Sequence, residues 1–315
     1  MFGALGRVLG CMLLAGAWLV PARAADADAV EPLPTREIAD GIHVYQAPYA
    51  LARQANEGAT GNLGFIIGRD AVAVIDTGGS FRAGRRLLAA VRVKTNLPIR
   101  YVVNTHGHPD HVLGNAAFEE QGARFVGHHK LARALGARAE AYLEAARREL
   151  GETAFARTII VLPDLPVDSV LSLDLGDRRI DLEAHPTAHT DNDLTVFDHR
   201  TGTWFLGDLL FMEHVPALDG RLKGWLALMD RARQRTVARA VPGHGPASAS
   251  WPDAMAPQER YLRNLEAGIR EALKAGRSMS EVSSGIGLSE QSAWALFESF
   301  HARNSVAAYK ELEWE

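Results

Sequence analysis

Three imidazoles and one carboxylate fall within the six residues His106-Gly107-His108-Pro109-Asp110-His111. Imidazole nitrogen and carboxylate oxygen together, without thiolate, suit zinc or another borderline first-row ion. Side chains two apart in an extended segment project to one side, so His106 and His108 can grip one ion. Beyond the turn at Pro109, Asp110 and His111 can point to a second. A polar loop that merely caps a helix, with Asp110 as its N-cap, would account for any one of these residues but not for all four.

The loop follows a short apolar strand expected over 100–103. Upstream, alternation over 41–46 predicts a strand, and apolar runs over 64–67 and 71–75 around Gly68-Arg69-Asp70 predict a hairpin. Between them, 47–61 is a polar insertion with Gly58 and Gly61, expected as a mobile loop over the active site. Asp76-Thr77-Gly78-Gly79 leads into an amphipathic helix over 82–93, with Leu87, Leu88 and Val91 on one face. A helix over 129–150 follows the motif, and strands are expected over 169–175, 179–184, 194–198 and 203–206. Helices are expected over 223–238, 252–275, 290–299 and 304–315, with Pro242-Gly243-His244-Gly245-Pro246 as a loop. Strands and helices intermix, which predicts an α/β or α+β fold with mixed sheets.

The chain has 315 residues, 47% hydrophobic and 23% charged, within the ordinary globular range. Its start reads as an export signal: one positive charge over 1–7, an apolar stretch over 8–20, and Pro21-Ala22-Arg23-Ala24 ending in Ala-x-Ala. That stretch is too short for a bilayer span of roughly 20 residues. Cleavage is expected after 24, giving a periplasmic protein with no stable membrane span. Cys11, the one cysteine, lies in this signal, so the mature chain has neither a Cys ligand nor a Cys nucleophile. Removing 1–24 takes away two arginines and no acid, moving the formal charge from −4 to −6. An acidic chain argues against nucleic acid as a partner and leaves a small-molecule substrate.

The motif resembles that of metallo-β-lactamase-fold hydrolases, and later stretches stand in the family's order. Ala188-His189-Thr190-Asp191-Asn192-Asp193 is similar to its third-histidine loop, Leu206-Gly207-Asp208 to its bridging-aspartate strand end, and Pro242-Gly243-His244-Gly245 to its last histidine. The resemblance spans about 41–250 and implies a four-layer αββα sandwich over 25–250, with 251–315 as a C-terminal helical extension packed on it. It also implies two zinc ions per chain: His106, His108 and His189 on the first, Asp110, His111 and His244 on the second, and Asp208 bridging. Asp76 would hold the histidine loop by hydrogen bonds without touching metal.

Two zinc ions roughly 3.5–4 Å apart can share a water whose pKa falls to about 7, supplying hydroxide to attack a carbonyl carbon. Asp110 would ligate and also orient that nucleophile. The expected reaction is hydrolysis of an ester, thioester or lactam. An Asp at 208 resembles glyoxalase-II-like thioesterases more than zinc β-lactamases, and His108 favours zinc hydrolysis over the iron redox members. A narrower resemblance, to SoxH-like quinoprotein relay system zinc metallohydrolases, rests on Gly58-Ala59-Thr60-Gly61-Asn62, on Leu218-Asp219-Gly220-Arg221-Leu222-Lys223-Gly224-Trp225, and on the ending from Ala302-Arg303-Asn304 to Leu312-Glu313-Trp314-Glu315. It implies a functional link to periplasmic dehydrogenases that use pyrroloquinoline quinone.

The segment 212–225 leaves the bridging aspartate and is expected to pass along the groove wall. It therefore offers His214 and Lys223 as substrate contacts, Lys223 for an anionic group. His185 is a candidate for supporting the centre, whereas His43, His128, His129, His199 and His301 read as strand or surface residues. A reading of another class is a non-catalytic periplasmic metal or ligand carrier. A carrier should close its coordination sphere, whereas seven ligands over two ions leave room for water.

Overall fold

The computed structural model describes residues 1–2 and 30–315. The export signal expected over 1–24, with Cys11, lies outside the described residues apart from its first two.

Short apolar runs build two sheets. The first holds β1 (Thr35–Ala39), β2 (Ile42–Tyr45), β3 (Leu63–Ile67), β4 (Val72–Ile75), β5 (Ile99–Val103), β6 (Arg124–His128) and β7 (Leu165–Val167) side by side in chain order. Pairing is antiparallel from β1 to β4 and parallel from β4 to β7. The second holds β8 (Val170–Asp174), β9 (Arg179–Ala184), β10 (Leu194–Asp198), β11 (Thr203–Phe211) and β12 (Arg239–His244). It is antiparallel up to β11, with β12 parallel to β11 at the edge.

The side-chain period of two explains the layering. Along β4, Val72 and Val74 join the apolar layer that contains Leu87, Leu88 and Val91 of α1 (Phe81–Lys94). Ala73 and Ile75 join the layer between the sheets, with Ile180, Leu182, Val196 and Phe205. A strand buried on both faces has no polar position to offer, which is why β4 reads as a continuous apolar run. The N-cap of α1 is Ser80, whose Oγ accepts from Ala83 N at 3.1 Å. Beyond it lie the four-residue α2 (Pro109–Val112) and α3 (Leu131–Phe155), the latter interrupted at Gly151. On the far side, α4 (Leu222–Ala232), α5 (Ala256–Lys274), α6 (Met279–Gly285) and α7 (Phe297–Leu312) share one apolar cluster with Trp204, Leu210 and Phe211 of β11. The order of layers is helix, sheet, sheet, helix, and the C-terminal helices belong to the same compact unit, Glu31–Glu315. Among the described residues, no helix is long and apolar enough to cross a membrane.

Several elements differ from the sequence expectation. The strand expected over 203–206 continues to Phe211, because Gly207 at φ +53° makes a bulge that keeps the chain in the sheet. Asp208 thus stands inside a strand, not at its end. Pro242-Gly243-His244, expected as a loop, belongs to β12, an edge strand, where proline is tolerated. The helix expected over 223–238 stops at Ala232 and turns through Arg233-Gln234-Arg235. The helices expected over 290–299 and 304–315 are replaced by a 3-10 turn, Leu288–Ala293, and the single α7. Asn304, where the second was expected to start, is buried in the middle of α7.

Candidate metal centre

The histidine loop leaves the C-terminal end of β5 and is fixed from behind by Asp76, at the end of β4. Asp76 Oδ1 accepts from Thr105 N at 2.8 Å, and Oδ2 accepts from Thr105 Oγ1 at 2.7 Å and faces His111 Nδ1 at 2.8 Å. Its φ of +56° is a left-handed conformation rare outside glycine, and three hydrogen bonds hold it there.

Two sets of donor atoms converge in front of this loop. His106 Nε2 and His189 Nε2 each lie 3.0 Å from His108 Nδ1. In the second set, Asp110 Oδ2 stands 3.5 Å from His244 Nε2 and 3.8 Å from His111 Nε2. Asp208 reaches both. Its Oδ2 is 3.3 Å from His189 Nε2, 3.4 Å from His244 Nε2 and 3.6 Å from His106 Nε2, and its Oδ1 is 3.2 Å from His111 Nε2. All seven residues expected to bind metal are therefore brought together.

The far nitrogens of four of these rings meet oxygen, which aims the near ones. His111 Nδ1 meets Asp76, His106 Nδ1 meets Thr105 Oγ1 at 3.1 Å, His108 Nε2 meets Asp219 Oδ2 at 3.2 Å, and His189 Nδ1 donates to Ala217 O at 2.6 Å. The His244 ring is instead stacked on Phe211, centroids 5.0 Å apart. Glycine lets the backbone close in: a Cβ at Gly243 would fall 2.0 Å from Asp208 Oδ1.

The donor arrangement fits a metal pair. His111 Nε2 and Asp208 Oδ1 are both buried 3.2 Å apart, and neither makes a well-formed hydrogen bond among the described residues. A buried polar atom left unpaired costs about 1–3 kcal/mol, and a cation between the two would satisfy both. Five imidazoles and two carboxylates without sulfur are a donor set suited to zinc.

Burial alone would raise the Asp208 carboxyl, but His244, His111 and His106 overturn it and hold the group well below the usual range. Burial lowers His106 strongly and brings His189 to about 3, so both rings are neutral. Against burial, Asp208 and Asp110 raise His111 and His244.

A cavity of about 420 Å³ opens over Asp110, Asp208 and His244. The segment 47–61 covers part of it, and its Thr60 Oγ1 donates to Asp110 Oδ2 at 3.1 Å. His214 lines the cavity, with Nδ1 donating to Val215 O at 2.6 Å and its ring 4.8 Å from that of His244. Burial, with His244 nearby, brings His214 down to about 4. Lys223 is placed elsewhere: its Nζ pairs with the Glu315 carboxylate at the surface, and it is not among the cavity-lining residues. A carboxylate supplied by the last residue of the chain was not visible from the loop around Lys223. His185 bonds Thr195 Oγ1 at 2.9 Å and does not join the ligands.

Sequence reasoning passed over Thr60, Asp219, Ala217 and Arg138, whose Nη1 donates to Asp219 Oδ2 at 2.7 Å. Their one signal was position: Thr60 and Asp219 lie in two of the stretches that carry the narrower resemblance.

The chain matches the model of the metallo-beta-lactamase superfamily over residues 57–244. Among solved structures it is similar to a metallo-beta-lactamase from Pontibacter korlensis, at TM-score 0.58 and 20% identity, covering 74% of this chain and 99% of that one. It is also similar to the inverting sec-alkylsulfatase Pisa1 from Pseudomonas sp., at TM-score 0.67 and 15% identity, covering 88% of this chain and 50% of that one. Among curated proteins, 54 residues are 43% identical to a linear primary-alkylsulfatase of Pseudomonas sp., 16% of this chain and 10% of that protein. The chain thus matches half of one alkylsulfatase and a tenth of the other.

Proposed function

Because the chain belongs to the metallo-β-lactamase superfamily and is a hydrolase, we propose that it is an exported di-zinc enzyme that hydrolyses a carbonyl-type bond in a small molecule, an ester, thioester or lactam. The observation that carries this reading is Asp208, whose two oxygens lie 3.2–3.6 Å from four ring nitrogens of both donor sets. Zinc held by these donors would supply an activated water and Lewis acidity toward the scissile oxygen.

The chain's own residues divide the remaining work. Asp110, held at Oδ2 by Thr60, faces the cavity and orients the attacking water. Phe211, Leu218, Leu113 and Leu150 line the cavity with apolar groups and exclude bulk water, which strengthens electrostatic interactions within. A neutral His214 beside His244 offers a hydrogen-bonding group to the substrate. The signal-like start supports action in the periplasm, and the narrower resemblance supports a place beside dehydrogenases that use pyrroloquinoline quinone. A second reading, hydrolysis of a sulfate ester, is favoured by the local match to the linear primary-alkylsulfatase.

The test is a panel of nitrophenyl ester, thioester, lactam and alkyl sulfate substrates, assayed before chelation, after it, and after zinc is restored. Turnover of a carbonyl substrate should vanish with chelation and return with zinc. Activity that survives complete metal removal would sink the proposal, and turnover of the sulfate alone would transfer it to the second reading.

A further inference from the structure

The cavity over the metal centre has an uneven wall. Leu51, Ala146, Leu150, Leu218 and Phe300 make most of it apolar. Two guanidinium groups reach it. Arg138 is engaged, donating to Asp219 at 2.7 Å and to Tyr142 Oη at 3.1 Å. Arg303, on α7, has no hydrogen-bond or ion-pair partner among the described residues. Helix neighbours three and four residues away offer no acid either: they are Ser299, Phe300, Val306 and Ala307. Glu149, the acidic wall residue outside the metal centre and the Arg138 pair, lies beside Arg148 at 4.0 Å.

Arg303 is also held in register with the centre. Its neighbour Asn304 is buried, its Oδ1 accepting from Leu218 N at 2.9 Å and its Nδ2 donating to Pro216 O at 2.6 Å. The same short segment presents Ala217 O to His189 Nδ1 at 2.6 Å. Position 303 is therefore linked to a metal-binding imidazole through one hydrogen-bonded loop, so a substrate group gripped there is placed relative to the reacting centre.

We propose that Arg303 is an anion subsite of this cavity, and that the substrate has an apolar body carrying a carboxylate or similar oxyanion away from its scissile bond. The inference deepens the hydrolase reading and rests on it for the word substrate. The planar guanidinium takes an oxyanion by two parallel hydrogen bonds, while the apolar wall takes the body. The cation the sequence suggested at Lys223 is thus supplied from α7, outside the span matched by the family model.

The experiment uses the zinc-loaded chain and two probe pairs. Calorimetry compares phenylbutyrate with phenylbutanol in wild type, Arg303→Ala and Arg303→Lys, and kinetics compare nitrophenyl hydrogen glutarate with nitrophenyl valerate. Arg303→Ala should weaken phenylbutyrate about tenfold and leave phenylbutanol unchanged, with Arg303→Lys recovering part of the loss. The KM for the glutarate ester should rise in Arg303→Ala while the valerate ester is unaffected. A carboxylate that merely binds zinc would show equal affinity in wild type and Arg303→Ala, and that result overturns the subsite. Binding that depends on Arg303 with no ester turnover would keep the anion subsite and remove ester hydrolysis from the functional reading.

Discussion

Three of the rings at the centre, His108, His111 and His189, are aimed by partners remote in sequence. The candidate ligands, which the structure brings together, were legible because His106, His108, Asp110 and His111 are crowded into one loop, and His189, Asp208 and His244 stand in motifs of similar order. Thr60 and Asp219 were not, since their partners lie 50 and 111 residues away and no local spacing encodes such pairs. Asp76 is the clearest of these aiming residues. Asp76→Ala removes the oxygen that fixes His111 Nδ1, and zinc affinity measured by chelator competition should fall about 10–100-fold. Asp76→Asn keeps an oxygen that can accept and should fall less; equal retention in all three proteins would contradict the aiming role. The electrostatics also set a direction with pH. His111 and His244 hold protons more tightly than free histidine in the metal-free chain, so zinc must displace them. Apparent zinc affinity should therefore rise as pH increases through and above the ordinary histidine value, with proton release seen when calorimetry is repeated in buffers of different ionisation enthalpy. Uptake without proton release would contradict that charge state.

At the scale of elements, helices with regular apolar spacing were readable, and irregular strands were not. The face of α1 was visible in Leu87, Leu88 and Val91. β11 was cut short because Gly207-Asp208 looks like a strand end, yet the bulge at Gly207 is what turns Asp208 toward the ligands without leaving the sheet. Of the C-terminal helices α5 was legible, whereas α6 was not expected and α7 replaces two helices expected over 290–299 and 304–315. The connection of α7 to the centre had no local signal because it passes through one buried side chain. Asn304 joins α7 to Pro216 and Leu218, and also donates to Tyr261 Oη at 2.9 Å. Asn304→Ala strands these partners and should cost about 1–3 kcal/mol, read as a lower midpoint in chemical denaturation. Because Ala217 O fixes His189 Nδ1, the variant should also shift the visible spectrum of the cobalt-substituted protein. Loss of stability with an unaltered cobalt spectrum would confine Asn304 to a structural part.

At the scale of the molecule, two sheets bring the seven candidate ligands from four places in the chain to one centre, and the helical ending adds a wall to the cavity they open into. The intermixed strands and helices predicted this class of fold, whereas the cavity wall, made by segments far apart in sequence, had no local signature. The proposed export adds a check: amino-terminal sequencing of protein recovered from the periplasm should begin near Ala25, and an intact Met1 would contradict it. The central claim is that Asp208 unites two metal ions into one hydrolytic centre. The most direct measurement is the number of zinc equivalents in gently purified wild type and Asp208→Ala, taken together with turnover and with circular dichroism to confirm folding. Wild type should hold two equivalents per chain, and Asp208→Ala, still folded, should hold fewer and lose nearly all hydrolysis. Two retained equivalents and full turnover in Asp208→Ala would contradict it.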